Sequence, residues 1–330
     1  MKRIITSCML LLSAAASTEQ VVVYTALDEL YSRPVLDRFE RETSIEVLAA
    51  YDEEASKTTG LVNRILAERS RPRADVFWNN EVAQTIVLKT KGALEAYASP
   101  SAEPFPANMK DAEHYWTGFA ARARVIIYNT NLVAEPPTSL LDFLKPEWKG
   151  KAAIGMPLFG TTATHAAALF AFWGDERAND FFERLKANEV AVLSGNAQVR
   201  DQVARGEYAI GLTDTDDANG AIADGLPAKW LFPDQGVGEM GTLVIPNTVA
   251  LIKGSPNPEA GKRLIDFLLS AEVEAELART RAIQIPLNPN VDAPESVPRL
   301  GAIKAMDVQF DAVAGKMAKA AEYMRDVFLR

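Results

Sequence analysis

Apolar residues follow two rhythms along this chain. Val21-Val22-Val23-Tyr24-Thr25-Ala26, Ile45 to Ala50 and Asp75-Val76-Phe77-Trp78 are short apolar runs that predict buried strands. Between and after them the spacing turns helical. Leu30 to Thr43 carries Val35, Leu36 and Phe39 among charges, Thr58 to Arg69 carries Leu61, Ile65 and Leu66, and Val82 to Thr90 follows. Pro72 and Gly92 punctuate the second and third of these helices. The resulting βαβαβα order predicts a largely parallel sheet covered by helices.

The pattern then repeats. Ala152 to Met156, Val190 to Val192 and Ala209 to Leu212 read as strands. Leu140 to Leu144, Thr164 to Phe170, Ala178 to Lys186 and Gln198 to Arg205 read as helices. Two longer extended segments, Phe119 to Tyr128 and Gly241 to Ile252, break the rhythm. Such segments are what two crossings between lobes would look like, and a chain that leaves one lobe and returns creates a hinged cleft. Glu259 to Leu269, Ala271 to Thr280 and an interrupted run from Ala302 to Val327 complete the expected helices. The fold expected is α/β, a two-lobed clamp with two hinge-crossing strands. Residues 19–122 and 243–288 would form one lobe, and 123–242 with 289–330 the other.

The start of the chain changes the picture of where it works. Lys2 and Arg3 precede an apolar stretch from Ile4 to Leu12, and Ser13-Ala14-Ala15-Ala16-Ser17 offers small residues for cleavage. This is the pattern of a secretory signal over residues 1–18, which predicts a periplasmic protein. Cys8, the only cysteine, lies inside it, so the mature chain would have neither disulfides nor thiolate metal sites. A formal charge of -9 and the lack of a basic stripe argue against nucleic acid. No later run approaches the roughly 18 apolar residues of a membrane helix.

Candidate chemistry gathers at the ends of the predicted strands, where open α/β sheets bind ligands. In the first half these ends carry Asp28, the acidic run Asp52-Glu53-Glu54, and Asn80 with Glu81 beside Trp78. In the second half they carry Gly160-Thr161-Thr162, Asn196, and the segment Thr213-Asp214-Thr215-Asp216-Asp217. Glycine and threonines at a helix start can present amides to an anion. Asp28, Glu81, Asp216 and Asp217 could present oxygens to a hard cation. Acids before a helix also cap it and complement its dipole, which gives each of them a plain structural alternative. Arg122 and Arg124 share one side of their strand and could pair with acids or clamp a phosphoryl group. No GxSxG, HExxH or GxGxxG order appears, so an enzyme (a hydrolase or lyase using the cleft carboxylates) is the remote alternative.

From Val21 to about Asn290 the chain resembles the periplasmic solute-binding proteins of ATP-driven importers, in the group that includes ferric-iron-binding proteins. The resemblance is carried by Val-Tyr at 23–24, Ala-Asp-Val-Phe-Trp at 74–78 and Ala-Arg-Val-Ile-Ile-Tyr-Asn-Thr at 123–130. Pro-Glu-Trp-Lys-Gly at 146–150 and Ile-Pro-Leu-Asn-Pro at 285–289 add to it. It implies a non-catalytic, monomeric clamp that hands a small solute to an inner-membrane ABC permease with its ATPase. In the ferric members adjacent tyrosines hold the iron; here those positions fall on Thr215 and Asp216. The family's histidine falls near Asp28, its first-lobe carboxylate on Asn80 or Glu81, and its anion contacts on Arg124, Gly160-Thr161-Thr162 and Asn196. No resident cofactor is implied. The acidic cluster tips the expected cargo slightly toward ferric iron or another hard cation with a synergistic anion. A phosphorylated or phosphonate organic solute, such as a sugar phosphate or an aminophosphonate, is the alternative.

Overall fold

The computed structural model describes residues 19–52 and 58–329. The predicted signal segment and Glu53 lie outside these residues. Among the described residues ten strands form one continuous sheet, ordered β2 (Glu46–Tyr51), β1 (Gln20–Thr25), β3 (Val76–Asn79), β10 (Val244–Ile252), β5 (Thr117–Asn129), β8 (Ile210–Asp214), β6 (Ala152–Gly155) and β7 (Ala191–Leu193), with β4 (Leu94–Glu95) pairing β10 and β9 (Ala228–Leu231) pairing β5.

In the first lobe β1 (Gln20–Thr25) lies parallel between β2 (Glu46–Tyr51) and β3 (Val76–Asn79). Alternation along β1 sends Val21 and Val23 into one core and Tyr24 into another, so both faces of the sheet are buried. The first face packs against α1 (Glu29–Thr43), α8 (Pro258–Leu268) and α9 (Ala271–Arg279). The second packs against α2 (Thr59–Glu68) and α3 (Ala83–Thr90).

The second lobe repeats the arrangement. β6 (Ala152–Gly155) lies parallel between β7 (Ala191–Leu193) and β8 (Ile210–Asp214). One face is covered by α4 (Gly160–Trp173) and α5 (Asp175–Ala187), the other by α6 (Asn196–Arg205) and α7 (Thr215–Ala223). Gly211 on β8 lets α6 press in, since a Cβ there would stand 2.5 Å from Val199 Cγ1.

The two long extended segments are β5 (Thr117–Asn129) and β10 (Val244–Ile252), and they join the lobes. β5 pairs with β10 as far as Ala123 and with β8 from Arg124 onward. The hand-off is irregular on both strands: Ala120 holds φ 42°, and the β10 register shifts between Ile245 and Asn247. Two short strands carried too little periodicity to be expected, β4 (Leu94–Glu95) and β9 (Ala228–Leu231).

Two expectations need correction. The run from Ala302 to Val327 is not one interrupted helix, because Lys304 and Met306 pair through their backbones with Thr242. The helix there, α10 (Phe310–Phe328), starts only at Phe310. It packs on α4 and α5 but also on α3, so it touches both lobes. The helix expected from Thr164 instead begins at Gly160, whose φ of 52° turns the chain into α4.

Candidate functional site

The C-terminal ends of β1, β3, β6, β7 and β8 face one cavity of about 130 Å³ between the lobes. Asp28 and Tyr31 of the α1 start, Asn80 after β3 and Arg122 of β5 line its first-lobe side. Gly160, Thr161 and Thr162 of α4, Ser194 to Ala197 with Arg200 at α6, and Asp214, Asp216 and Asp217 line the other. Ligand sites form at such strand ends because the following helices all point their positive ends there.

The acids at 214–217 stand close together: one oxygen from each of Asp214, Asp216 and Asp217 lies within 4.8 Å of the others. Each of the three also faces an arginine. Arg124 Nη1 donates to Asp214 Oδ1 at 2.6 Å, Arg122 Nη1 lies 3.1 Å from Asp216 Oδ2, and Arg200 Nη1 lies 3.5 Å from Asp217 Oδ1. The Arg124–Asp214 pair follows from the strands, since these residues are register partners across β5 and β8. Asp214 has both oxygens engaged, because Oδ2 accepts from Thr161 Oγ1 at 2.5 Å and Asn196 Nδ2 at 2.9 Å. Asp216 Oδ1 accepts the Asp217 amide at 3.1 Å.

Burial would lower the Arg122 pKa, but Asp216, then Asp214, Asp28 and Asp217, outweigh it and raise it, so this guanidinium stays charged. Arg122 is 5% exposed, and its Nε has no hydrogen-bond partner. Tyr31 is the phenol at the cavity, its pKa raised by burial and by Asp216. His165, inside α4, is held neutral by burial and by the nearby Arg124 charge, so it adds no cation.

Three of the expected site residues do not line the cavity. Glu81 is buried, and its carboxylate accepts the Ala83 amide at 2.6 Å, the Gln84 amide at 2.9 Å, Asn79 Nδ2 at 3.0 Å and Thr164 Oγ1 at 2.8 Å. It serves the start of α3 and its contact with α4, and it is not brought to the acids at 214–217. Thr215 is buried, its hydroxyl accepting the Ala123 amide at 3.3 Å. Arg124 is fully buried beneath the cavity floor. Asp52 accepts the Leu61 amide near the start of α2 at 3.3 Å, the helix-end role. Asn80 lies at the cavity with its Oδ1 accepting from Thr58 Oγ1 at 2.8 Å.

Tyr31, Arg200 and Ser194 were not anticipated, although the spacing held a signal for the first two. Tyr31 follows Asp28 by three residues and Arg200 follows Asn196 by four, so each shares a helix face with a residue already singled out.

A family model described as "Bacterial extracellular solute-binding protein" matches residues 74–308. A putative 2-aminoethylphosphonate-binding periplasmic protein of Salmonella typhimurium is 26% identical over 276 residues, 81% of this chain and 79% of that one. Iron-bound HitA from Pseudomonas aeruginosa superposes with a TM-score of 0.85 at 22% identity, covering 94% of this chain and 99% of its own. AfuA of Actinobacillus pleuropneumoniae, with exogenous fructose-6-phosphate bound, gives 0.83 at 21% identity, covering 94% and 98%. These superpositions establish the two-lobed clamp fold. With the family match over most of its length, the chain belongs to the bacterial extracellular solute-binding proteins, as a periplasmic carrier of ABC import and not an enzyme.

Proposed function

We propose that this carrier captures a small organic solute with a phosphoryl- or phosphonate-type anion at one end and a hydrogen-bond-donating body, hydroxyl or ammonium, at the other. The anion would sit against the first turns of α4 and α6, around Gly160-Thr161-Thr162 and Asn196, where helix N-termini point amides at the cavity. Asp28, Asp216 and Asp217 would accept from the other end, with Tyr31 and Asn80 as further polar contacts. Arg122, whose Nε has no hydrogen-bond partner, lines the same cavity. The two lobes, divided at 122/123, 242/243 and 288/289, would close on this solute and offer it as a monomer to an inner-membrane permease and its ATPase.

The observation that carries this cargo is the arginine facing each acid of the 214–217 segment. A trivalent cation calls for an excess of anionic oxygens. Among the described residues Asp28, Asp214, Asp216 and Asp217 are set against Arg122, Arg124 and Arg200, so the charge of the segment's acids is partly offset, with Arg200 dividing its own between Asp217 and Asp201 at 2.7 Å. The relative named for 2-aminoethylphosphonate and the one with exogenous fructose-6-phosphate bound add support. A second cargo, a hard cation such as ferric iron with a co-bound anion, is favoured by the three acid oxygens within 4.8 Å and by the iron-bound relative.

Native mass spectrometry of protein purified from the periplasm, with elemental analysis of the same sample, separates them. One organic, phosphorus-containing mass per chain and no metal is expected. A stoichiometric metal would overturn the organic cargo in favour of the cation.

A further inference from the structure

Asp214 and Arg124 form a pair beneath the cavity floor that is 1% and 0% exposed. Besides the guanidinium, the Asp214 carboxylate takes the hydroxyl of Thr161 in the first turn of α4 and the amide of Asn196 at the start of α6. One negative charge is thus fixed between the positive ends of two helices that open onto the same cavity. Arg124 is engaged through a single nitrogen: Nη1 also reaches Asn196 Oδ1 at 3.0 Å and Thr161 Oγ1 at 3.3 Å, while Nε and Nη2 are buried without a partner. A buried guanidinium behind two helix N-termini would make a strong, indiscriminate anion clamp. Here its charge is spent on an internal carboxylate.

We propose that Asp214 is a built-in counter-anion that sets the specificity of the anion seat. By neutralising Arg124 it leaves the seat to hold an anion on helix dipoles and amides alone. A bare inorganic oxyanion then gains little, and a solute binds well only when its other end also engages Asp28, Asp216 or Asp217. Asp214 acts through Arg124, so both are positioning residues for selectivity. The inference rests on the anion seat at α4 and α6 proposed above.

Sulfate is the probe, titrated calorimetrically at low ionic strength into the wild-type protein, Asp214→Asn, and Asp214→Asn combined with Arg124→Gln. Wild type is expected to bind sulfate weakly. Asp214→Asn, which frees the Arg124 charge, is expected to bind it tighter by on the order of tenfold or more. The double variant is expected to lose that gain. A folded Asp214→Asn protein that binds sulfate no better than wild type overturns the counter-anion and leaves the seat standing. So does a double variant that keeps the gain. Absence of sulfate binding in all three proteins overturns the anion seat itself, and the counter-anion with it. Should Asp214→Asn fail to fold by circular dichroism, Arg124→Gln alone decides: an Asp214 charge left without its guanidinium must weaken sulfate binding, and unchanged binding refutes the role.

Discussion

Arg122 Nη1 lies 3.1 Å from Asp216 Oδ2, with the two side chains 6% and 8% exposed, and this pair ties the hinge strand to the floor of the cavity. Arg122 belongs to the part of β5 that pairs with β10, whereas Asp216 opens α7 in the second lobe. In the proposed binding mode Asp216 would accept from the solute while it holds the hinge-strand guanidinium in place. Asp216→Asn keeps the shape and removes the charge. A charge-assisted hydrogen bond contributes about 1.5–3 kcal/mol, so cargo affinity should fall about tenfold to a hundredfold. Titration of the stripped variant with the solute recovered from wild type measures it, and an unchanged affinity would remove Asp216 from the site.

The Arg124–Asp214 pair is deeper, and its loss should register first in stability. Asp214→Ala leaves a fully buried guanidinium without its counter-charge, which costs about 3–5 kcal/mol. Replacing both partners by apolar residues, Asp214→Leu with Arg124→Met, should recover much of that loss, because no buried charge remains. Urea unfolding of the two variants provides the comparison. A double variant as unstable as the single one would mean that the bonds to Thr161 and Asn196, not the charges, hold this floor together.

Much of this arrangement was legible in the sequence because strand ends and helix starts are local features. The runs at 21–26, 75–78 and 209–212 by themselves set Asp28, Asn80 and Asp214 at one edge. Which acid does what was not legible. Glu81 and Asp216 look alike along the chain, yet Glu81 turns inward to the α3 amides and Asp216 faces the cavity. Along the chain nothing shows that the Glu81 carboxylate also takes the hydroxyl of Thr164, 83 residues away. The extended pairing of residues 304–306 with Thr242 was hidden for the same reason: a partner 62 residues upstream overrode helical spacing.

Gly155 offers a test of how tightly the anion seat is packed. A Cβ at this β6 position would stand 3.0 Å from Thr162 Oγ1 and 3.3 Å from Asn196 Oδ1, so it presses on both helix starts at once. Overpacking of this kind costs about 1–3 kcal/mol where neighbours cannot retreat. The side chains of Thr162 and Asn196 border the cavity and can yield toward it, whereas the Gly195 backbone carbon, also 3.3 Å away, gives only by shifting the start of α6. Gly155→Ala should therefore lower cargo affinity several-fold while moving the melting temperature only slightly. Calorimetric titration alongside thermal unfolding checks it; a large loss of stability with unchanged affinity would place the strain elsewhere.

Glu81 makes the stability of the protein depend on pH in a defined direction. Burial raises its pKa above 4.5 even though Thr164, Gln84, Asn79 and Ala83 all donate to the carboxylate. The folded protein therefore holds this proton more tightly than the unfolded chain does. The contribution is fully present below the unfolded value near 4.5 and is lost as pH rises through the raised folded value. Glu81→Gln cannot titrate. Across the range from the ordinary carboxylate pKa upward, wild type should lose stability relative to this variant as pH increases. Urea unfolding at a series of pH values gives both curves. If they run parallel, or if wild type gains on the variant with rising pH, the buried carboxyl is ionised in the fold and its four donors outweigh its burial.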